Sequence, residues 1–78
     1  MNVIVSGAAL KLWRTRLHYS QTQLAGELGL TQSLVGQMER GETPITRRTV
    51  LQLLALADRL GVARPRTRNA SRRVVLSE

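Results

Sequence analysis

The sequence predicts an all-α fold: a compact four-helix domain over residues 1–62, followed by a basic C-terminal arm over residues 63–78. Two observations support this prediction. Apolar residues recur at helical spacing before Gly61 and give way to an arginine-rich stretch after it. Residue types that cap and end helices divide the body into four segments. At 78 residues, the chain is too short for a second globular domain.

The first helix is predicted to begin after Ser6, a residue type that caps helix N-termini. Leu10, Trp13, Arg14 and Leu17 fall on one helical face, at the spacing typical of a helix. The helix is expected to end at His18, where glycine or asparagine is commoner, so we expect an unusually shaped turn there.

The second and third helices are predicted to be short and joined by a tight turn. Ser20, with a glutamine three residues later, forms a capping box that predicts a helix over Gln21–Leu28. Gly29 supplies the left-handed residue that ends it. Thr31 is the next cap and predicts a helix over Gln32–Glu39.

The fourth helix is predicted over Arg47–Leu60, with Gly61 as its C-terminal stop. Five of its residues share a face that we expect to be buried: Val50, Leu53, Leu54, Ala57 and Leu60. Leu51 and Leu56 lie outside this stripe and are candidates for contact with another protein chain.

Charge points to a polyanionic partner. The chain has 12 basic residues and 5 acidic ones, a formal net charge of +7. Every basic residue except Lys11 is an arginine, which suits planar contacts to phosphates and base edges. A polyanion is therefore the expected partner.

Enzymatic chemistry, metal binding and cofactor binding are not expected. His18 is the only histidine, cysteine is absent, and the carboxylates are scattered without acid/base or metal-ligand spacing. We expect no catalytic residue, no metal and no cofactor. The absence of cysteine suits a reducing compartment, and neither a membrane span nor a secretory leader is expected. A cytoplasmic, nucleoid-associated protein is the expectation.

The outward face of the third helix is unusual because it carries amides and no charge. It is expected to present Gln32, Ser33, Gly36 and Gln37. Glutamine can donate to and accept from adenine at the same time, so such a face suits contact with base edges. A plain solvated helix face is the alternative.

These residues resemble the phage-repressor and Cro type of helix-turn-helix, also called XRE-like. The resemblance spans residues 10–62, and five stretches carry it: Leu-Lys-Leu-Trp-Arg at 10–14, Ser-Gln-Thr-Gln-Leu-Ala at 20–25, Thr-Gln-Ser-Leu-Val at 31–35, Met-Glu-Arg-Gly at 38–41, and Leu-Leu-Ala-Leu-Ala-Asp-Arg-Leu-Gly-Val at 53–62. It implies a lambda-repressor-like domain that binds a palindromic operator in double-stranded DNA as a homodimer, with the third helix in the major groove.

The resemblance also implies roles for single residues. Gln32, Ser33 and Gln37 match positions that contact base edges. Six residues match positions that contact the DNA backbone: Gln21, Arg40, Thr43, Thr46, Arg47 and Arg48. Arg14 and Glu39 match a structural ion pair between the first and third helices. Arg40 and Glu42 equally fit a solvated loop.

The sequence departs from the family after Val62, where many members continue into a fifth helix that forms the dimer. Pro65 and five arginines disfavour that helix, so dimerisation must use other residues. The β-prone runs Val3–Val5 and Val74–Leu76 are candidates for strand pairing within one chain or between two, and the arm is expected to end in such a strand.

A sequence-specific transcriptional regulator, associated with a phage, a mobile element or a restriction-modification operon, is the function that the sequence favours. An antitoxin that neutralises a partner toxin and regulates its own operon is the alternative. A DNA-bending accessory factor is a third hypothesis. Genomic neighbours would separate these three classes.

Overall fold

The computed structural model describes residues 3–69. Within this range the chain forms four helices and two short strands, and it confirms the all-α prediction. The elements, in chain order, are β1 (Val3–Ile4), α1 (Gly7–Arg16), α2 (Gln21–Leu28), α3 (Gln32–Glu39), α4 (Arg47–Leu60) and β2 (Arg68–Asn69). The predicted bounds of the last three helices agree with those observed.

Local hydrogen bonding explains why the helices begin where they do. The side chains of Ser6, Thr31 and Thr46 each accept a hydrogen bond from a backbone N–H in the first turn of the following helix. Ser20 and Gln23 complete the predicted capping box at the start of α2. The three predicted caps, Ser6, Ser20 and Thr31, are therefore confirmed, and the structure adds Thr46 as the cap of α4.

Left-handed residues end the helices and redirect the chain. Gly29 follows α2 and Gly61 follows α4, each with a φ of 71°. His18 has a φ of 62° two residues after α1, a conformation that costs a non-glycine residue free energy. The expectation of an unusual turn at His18 is confirmed.

The core lies between α1, the α2–α3 pair and α4. Its buried apolar side chains are Val5, Leu10, Trp13, Leu24, Ala25, Leu28, Val35, Met38, Val50, Leu53, Leu56 and Ala57. Ala25 lies in α2, which packs closely against α3, and only a small side chain allows helices to approach so closely.

Two predictions about α4 are wrong. Leu56 was expected outside the buried stripe but is only 2% exposed, and Leu60 was expected inside it but is 39% exposed. The helix packs against α2 and also against β1, so its buried surface is wider than a single stripe. Leu60 occupies the last helical position, next to the Gly61 stop. Leu56 is therefore not available for contact with another chain.

The first residues of the segment predicted as an arm pack against the body. The Trp13 indole N–H donates a hydrogen bond of 2.7 Å to the Ala63 carbonyl oxygen, and Pro65 is buried. Arg64 donates two hydrogen bonds to the Asp58 carboxylate, at 3.1 and 2.8 Å.

The predicted pairing of the N-terminal β-prone run occurs within the chain. β1 and β2 are antiparallel, with Val3 opposite Asn69 and Ile4 opposite Arg68. The other predicted β-prone run, Val74–Leu76, lies outside the described residues. The boundary between domain and arm stays a prediction.

Candidate nucleic-acid interface

The turn between α2 and α3 holds the two helices at a fixed crossing. Gly29 adopts the left-handed conformation, and the Leu30 N–H donates a hydrogen bond of 2.9 Å to the Ala25 carbonyl oxygen. Leu30 itself packs against the core. Because α3 is anchored by the buried Val35 and Met38, its opposite side is presented to solvent in one orientation.

The exposed side of α3 carries the predicted base-contacting residues. Gln32 and Ser33 are exposed at its first turn, and Gln37 is half-buried one turn later. The Thr43 hydroxyl donates to the Gln37 Oε1 at 3.3 Å, so the loop after α3 restrains the Gln37 amide. The structure thus brings Gln32, Ser33, Gln37 and Thr43 onto one surface.

Gly36 was predicted on this outward face, and that prediction is wrong, because Gly36 is buried. A Cβ at this position would lie 3.1 Å from Arg40 Nη1 and 3.4 Å from Gln21 Oε1. The side chains of Gln21 and Arg40 therefore approach the α3 backbone at Gly36, and the absence of a side chain there leaves room for them.

A continuous chain of hydrogen bonds connects the core to the exposed end of α3. The Arg14 guanidinium donates to both Glu39 carboxylate oxygens, at 2.5 and 3.1 Å. The Gln21 Nε2 donates to the Glu39 Oε1 at 3.0 Å, and the Gln32 Nε2 donates to the Gln21 Oε1 at 2.6 Å. We call these four side chains, Arg14, Glu39, Gln21 and Gln32, the Arg14–Gln32 network. The network connects Gln32, a predicted base-contacting residue, to the predicted ion pair and restrains its side chain.

The inner end of the network is buried and electrically balanced. The side chains of Arg14 and Glu39 are 10% and 3% exposed. Arg14 also donates a hydrogen bond of 2.8 Å to the Tyr19 carbonyl oxygen, a contact that sequence reasoning missed. The acceptor is a backbone carbonyl, so no residue type in the sequence identifies it. The turn that brings this carbonyl to Arg14 depends on the left-handed conformation of His18.

The pKa of Glu39 reports this environment. Burial alone would raise the pKa of the carboxyl, but three features offset it: the hydrogen bond from Arg14, the hydrogen bond from Gln21, and the positive charges of Arg14 and Lys11. The pKa therefore lies below its ordinary value, and Glu39 is ionised at neutral pH. A buried ionised carboxylate is stable here because each oxygen has a donor.

Four of the predicted backbone-contacting residues lie at the N-terminal ends of α2 and α4. Arg47 and Arg48 are exposed in the first turn of α4. Thr46 is exposed and caps that helix, so its hydroxyl already accepts a hydrogen bond. Gln21 occupies the first helical position of α2, where free backbone N–H groups favour an anion.

Arg40 is the predicted backbone-contacting residue with a charged partner in the free protein. It donates to the Glu42 carboxylate at 2.8 and 3.2 Å, and both side chains are more than half exposed. The hydrogen bonds and charge of Arg40 lower the pKa of Glu42. Contact between Arg40 and a phosphate would require this exposed pair to open.

Metal binding finds no support in the described residues. Among residues 3–69, no group of three or more histidine, aspartate or glutamate side chains is close enough to hold a metal ion. No helix in that range is long and apolar enough to cross a membrane.

The comparison with protein families agrees with this geometry. The family model described as "Helix-turn-helix" matches residues 10–62, the span over which the sequence resemblance was found. No curated protein and no solved structure matches the chain. The matched span contains all four helices except the first three residues of α1. The chain therefore belongs to the Cro/C1-type, or XRE, family of helix-turn-helix proteins, and is a DNA-binding transcription regulator.

Proposed function

We propose that this protein is a sequence-specific repressor that binds a palindromic operator as a homodimer, with α3 in the major groove. The Arg14–Gln32 network is the observation that carries the proposal. It holds an uncharged amide at the exposed end of α3, in a chain whose net charge is +7. Cationic residues around α3 would bind the phosphates, and the amides would distinguish the bases.

The hydrogen-bonding capacity left on the two amides fits contact with adenine. Gln32 uses one of its two N–H donors on Gln21, which leaves one donor and the carbonyl oxygen free. Gln37 accepts one hydrogen bond from Thr43 and keeps both of its donors. Each amide can therefore donate to adenine N7 and accept from adenine N6. Restraint of both side chains before binding reduces the entropy lost on contact, at about 0.5 to 1.5 kcal/mol per side chain.

Gln21 has two proposed roles. Its side chain positions Gln32, and its backbone N–H at the start of α2 is placed to receive a phosphate. Binding of one phosphate there would set the register of α3 along the groove. Arg47 and Arg48 would contact the neighbouring backbone, and Arg40 would add a contact once released from Glu42.

A dimer follows from the size of the site. One domain of this size covers a half-site, and two half-sites about 10 base pairs apart place both copies of α3 on one side of the duplex. Neutralisation of about 8 phosphates by the dimer predicts a slope near −7 for log K against log salt. As a DNA-binding protein it would act in the cytoplasm, on the nucleoid. Genomic neighbours would test the predicted association with a phage, mobile element or restriction-modification operon.

The test separates base contacts from phosphate contacts. A duplex selected in vitro for binding and a scrambled duplex of equal length are titrated at two salt concentrations. Gln37→Ala and Gln32→Ala should each weaken binding to the selected duplex by about 1 to 3 kcal/mol and leave the scrambled duplex nearly unaffected. Ser33→Ala should have a smaller effect, because the serine side chain is shorter than that of glutamine and reaches less far towards the bases.

Phosphate contacts should behave differently. Arg48→Ala should weaken binding to both duplexes and reduce the salt slope by about one unit. Arg59→Ala is the matched control, since it removes an arginine about 16 Å further along α4 and should leave the slope unchanged. Equal loss on both duplexes for Gln37→Ala would contradict the assignment of α3 as the base-contacting helix.

A further inference from the structure

The outer face of α4 carries four residues in a narrow row. Arg47, Leu51, Leu54 and Asp58 are spaced by four, three and four positions, which keeps them within about 60° of the helix circumference. Leu51 is 55% exposed, the largest value for any large apolar side chain in residues 3–69. Leu54 is partly buried, and Arg47 and Asp58 are exposed. We call these four residues the α4 stripe.

The α4 stripe is complementary to itself. It has a base at its N-terminal end, two leucines in the middle and an acid at its C-terminal end. Arg47 precedes Leu51 by four positions, and Asp58 follows Leu54 by four. In an antiparallel pair of such helices, with a two-fold axis midway between Leu51 and Leu54, opposite charges and apolar side chains meet in the same register.

We propose that the α4 stripe is the contact surface for a second copy of this chain. Leu51 of each copy packs against Leu54 of the other, and Arg47 of each copy pairs with Asp58 of the other. The proposal rests on the proposed function, because it names the surface that forms the homodimer. Of the two leucines that the sequence offered as dimer contacts, Leu56 is buried and Leu51 is exposed, so only Leu51 is retained.

Charge specifies this orientation. A parallel arrangement would place Arg47 against Arg47 and Asp58 against Asp58, and like charges across an interface are strongly unfavourable. Each copy carries a net charge of +7, so two copies repel at long range. A carboxylate opposite an arginine, twice per dimer, offsets that repulsion where the copies touch.

The existing partner of Asp58 is compatible with the contact. Arg64 of the same chain donates to both Asp58 oxygens, at 2.8 and 3.1 Å, and the side chain of Asp58 is 58% exposed. A carboxylate has about four acceptor positions, so it can accept hydrogen bonds from Arg47 of a second copy as well.

The first test compares two equally exposed leucines in full-length protein without DNA. Leu51→Asp places a charge in the α4 stripe, and Leu12→Asp places one on α1, where the leucine is 53% exposed. Sedimentation equilibrium should show a dimer Kd raised about thirtyfold or more by Leu51→Asp and by less than about threefold by Leu12→Asp. Circular dichroism and Trp13 fluorescence establish that both variants are folded.

The second test uses charge reversal. Arg47→Glu and Asp58→Arg should each raise the dimer Kd at least about tenfold, and the double variant should return it to within about threefold of the wild-type value. Arg64→Ala is the control for Asp58→Arg, since it breaks the same pair within the chain but leaves the α4 stripe intact. Arg47 is also a proposed phosphate contact, so dimerisation is measured without DNA.

Three results would overturn the proposal: a wild-type chain that stays monomeric up to millimolar concentration, equal effects of Leu51→Asp and Leu12→Asp, or no recovery in the double charge reversal. Each is distinct from failure of the proposed function. A Leu51→Asp protein that still dimerises and still prefers the selected duplex refutes the α4 stripe alone. A protein that dimerises as proposed but binds both duplexes equally refutes sequence-specific binding alone.

Discussion

Replacement of Glu39 by alanine tests the inner end of the Arg14–Gln32 network. The change removes two hydrogen bonds from the Arg14 guanidinium and leaves its bond to the Tyr19 carbonyl oxygen. Arg14 is 9% exposed, so its charge stays buried without a charged partner. Loss of one member of a buried ion pair costs about 3 to 5 kcal/mol, and the retained hydrogen bond reduces the expected loss to about 2 to 4 kcal/mol.

Urea unfolding followed by Trp13 fluorescence measures this loss. With an m value of about 1 kcal/mol per molar, the midpoint should fall by about 2 to 4 M. A domain of 78 residues has roughly 4 to 12 kcal/mol of stability in total, so the measurement is best made near 10 °C. Glu42→Ala is the matched control, because it breaks an ion pair whose side chains are 59% and 56% exposed, and its midpoint should barely move.

Similar midpoints for Glu39→Ala and Glu42→Ala would refute the reasoning that burial makes the inner pair important. Glu39→Ala should also affect DNA binding. Gln21 loses the acceptor for its Nε2, so Gln32 is held less firmly. At temperatures where the variant stays folded, preference for the selected duplex over the scrambled one should decrease.

Three further predictions concern pH and backbone conformation. Because the pKa of Glu39 is lowered by folding, its contribution to the free energy of unfolding is complete above the unfolded-state pKa of about 4.3 and is lost as the pH falls through the lower folded-state value. Urea midpoints should therefore fall with pH below about 4 in the wild type and fall less in Glu39→Gln; identical slopes would contradict this. Gly7→Ala should lower the free energy of unfolding by about 1 to 3 kcal/mol, since a Cβ would lie 2.7 Å from the Glu39 carbonyl oxygen. A Cβ at Gly26 meets nothing within 4 Å, so Gly26→Ala should stabilise α2 by about 0.5 to 1 kcal/mol. Thermal melts showing the same sign for both would be inconsistent with this packing. His18→Gly should raise the melting temperature, because the relief of backbone strain at a φ of 62°, about 1 to 2 kcal/mol, exceeds the entropic cost of glycine, roughly 0.5 to 1 kcal/mol. A lower melting temperature would show that the His18 side chain stabilises the fold.

Local interactions made most of the helical framework predictable from the sequence. A cap such as Ser20 and a stop such as Gly29 act on backbone groups within about four residues, so their effect is visible in a short stretch of sequence. The limits of α2, α3 and α4 follow from such signals. The family resemblance over residues 10–62 was visible for the same reason, since it depends on residue types at fixed spacing.

Burial and contacts over long separations were decided only by the tertiary structure. The periodicity of α4 predicts a buried Leu60 and an exposed Leu56, yet Leu56 is 2% exposed and Leu60 39%, because burial depends on which elements pack against α4. Gly36 is covered by side chains from other positions, and the pairing of β1 with β2 joins residues more than 60 positions apart. The Gln32–Gln21 hydrogen bond likewise requires the crossing angle of two helices, which no local pattern specifies. The sequence therefore determined the helices and the chemical types on the exposed face of α3, and packing determined which of those side chains are held in place.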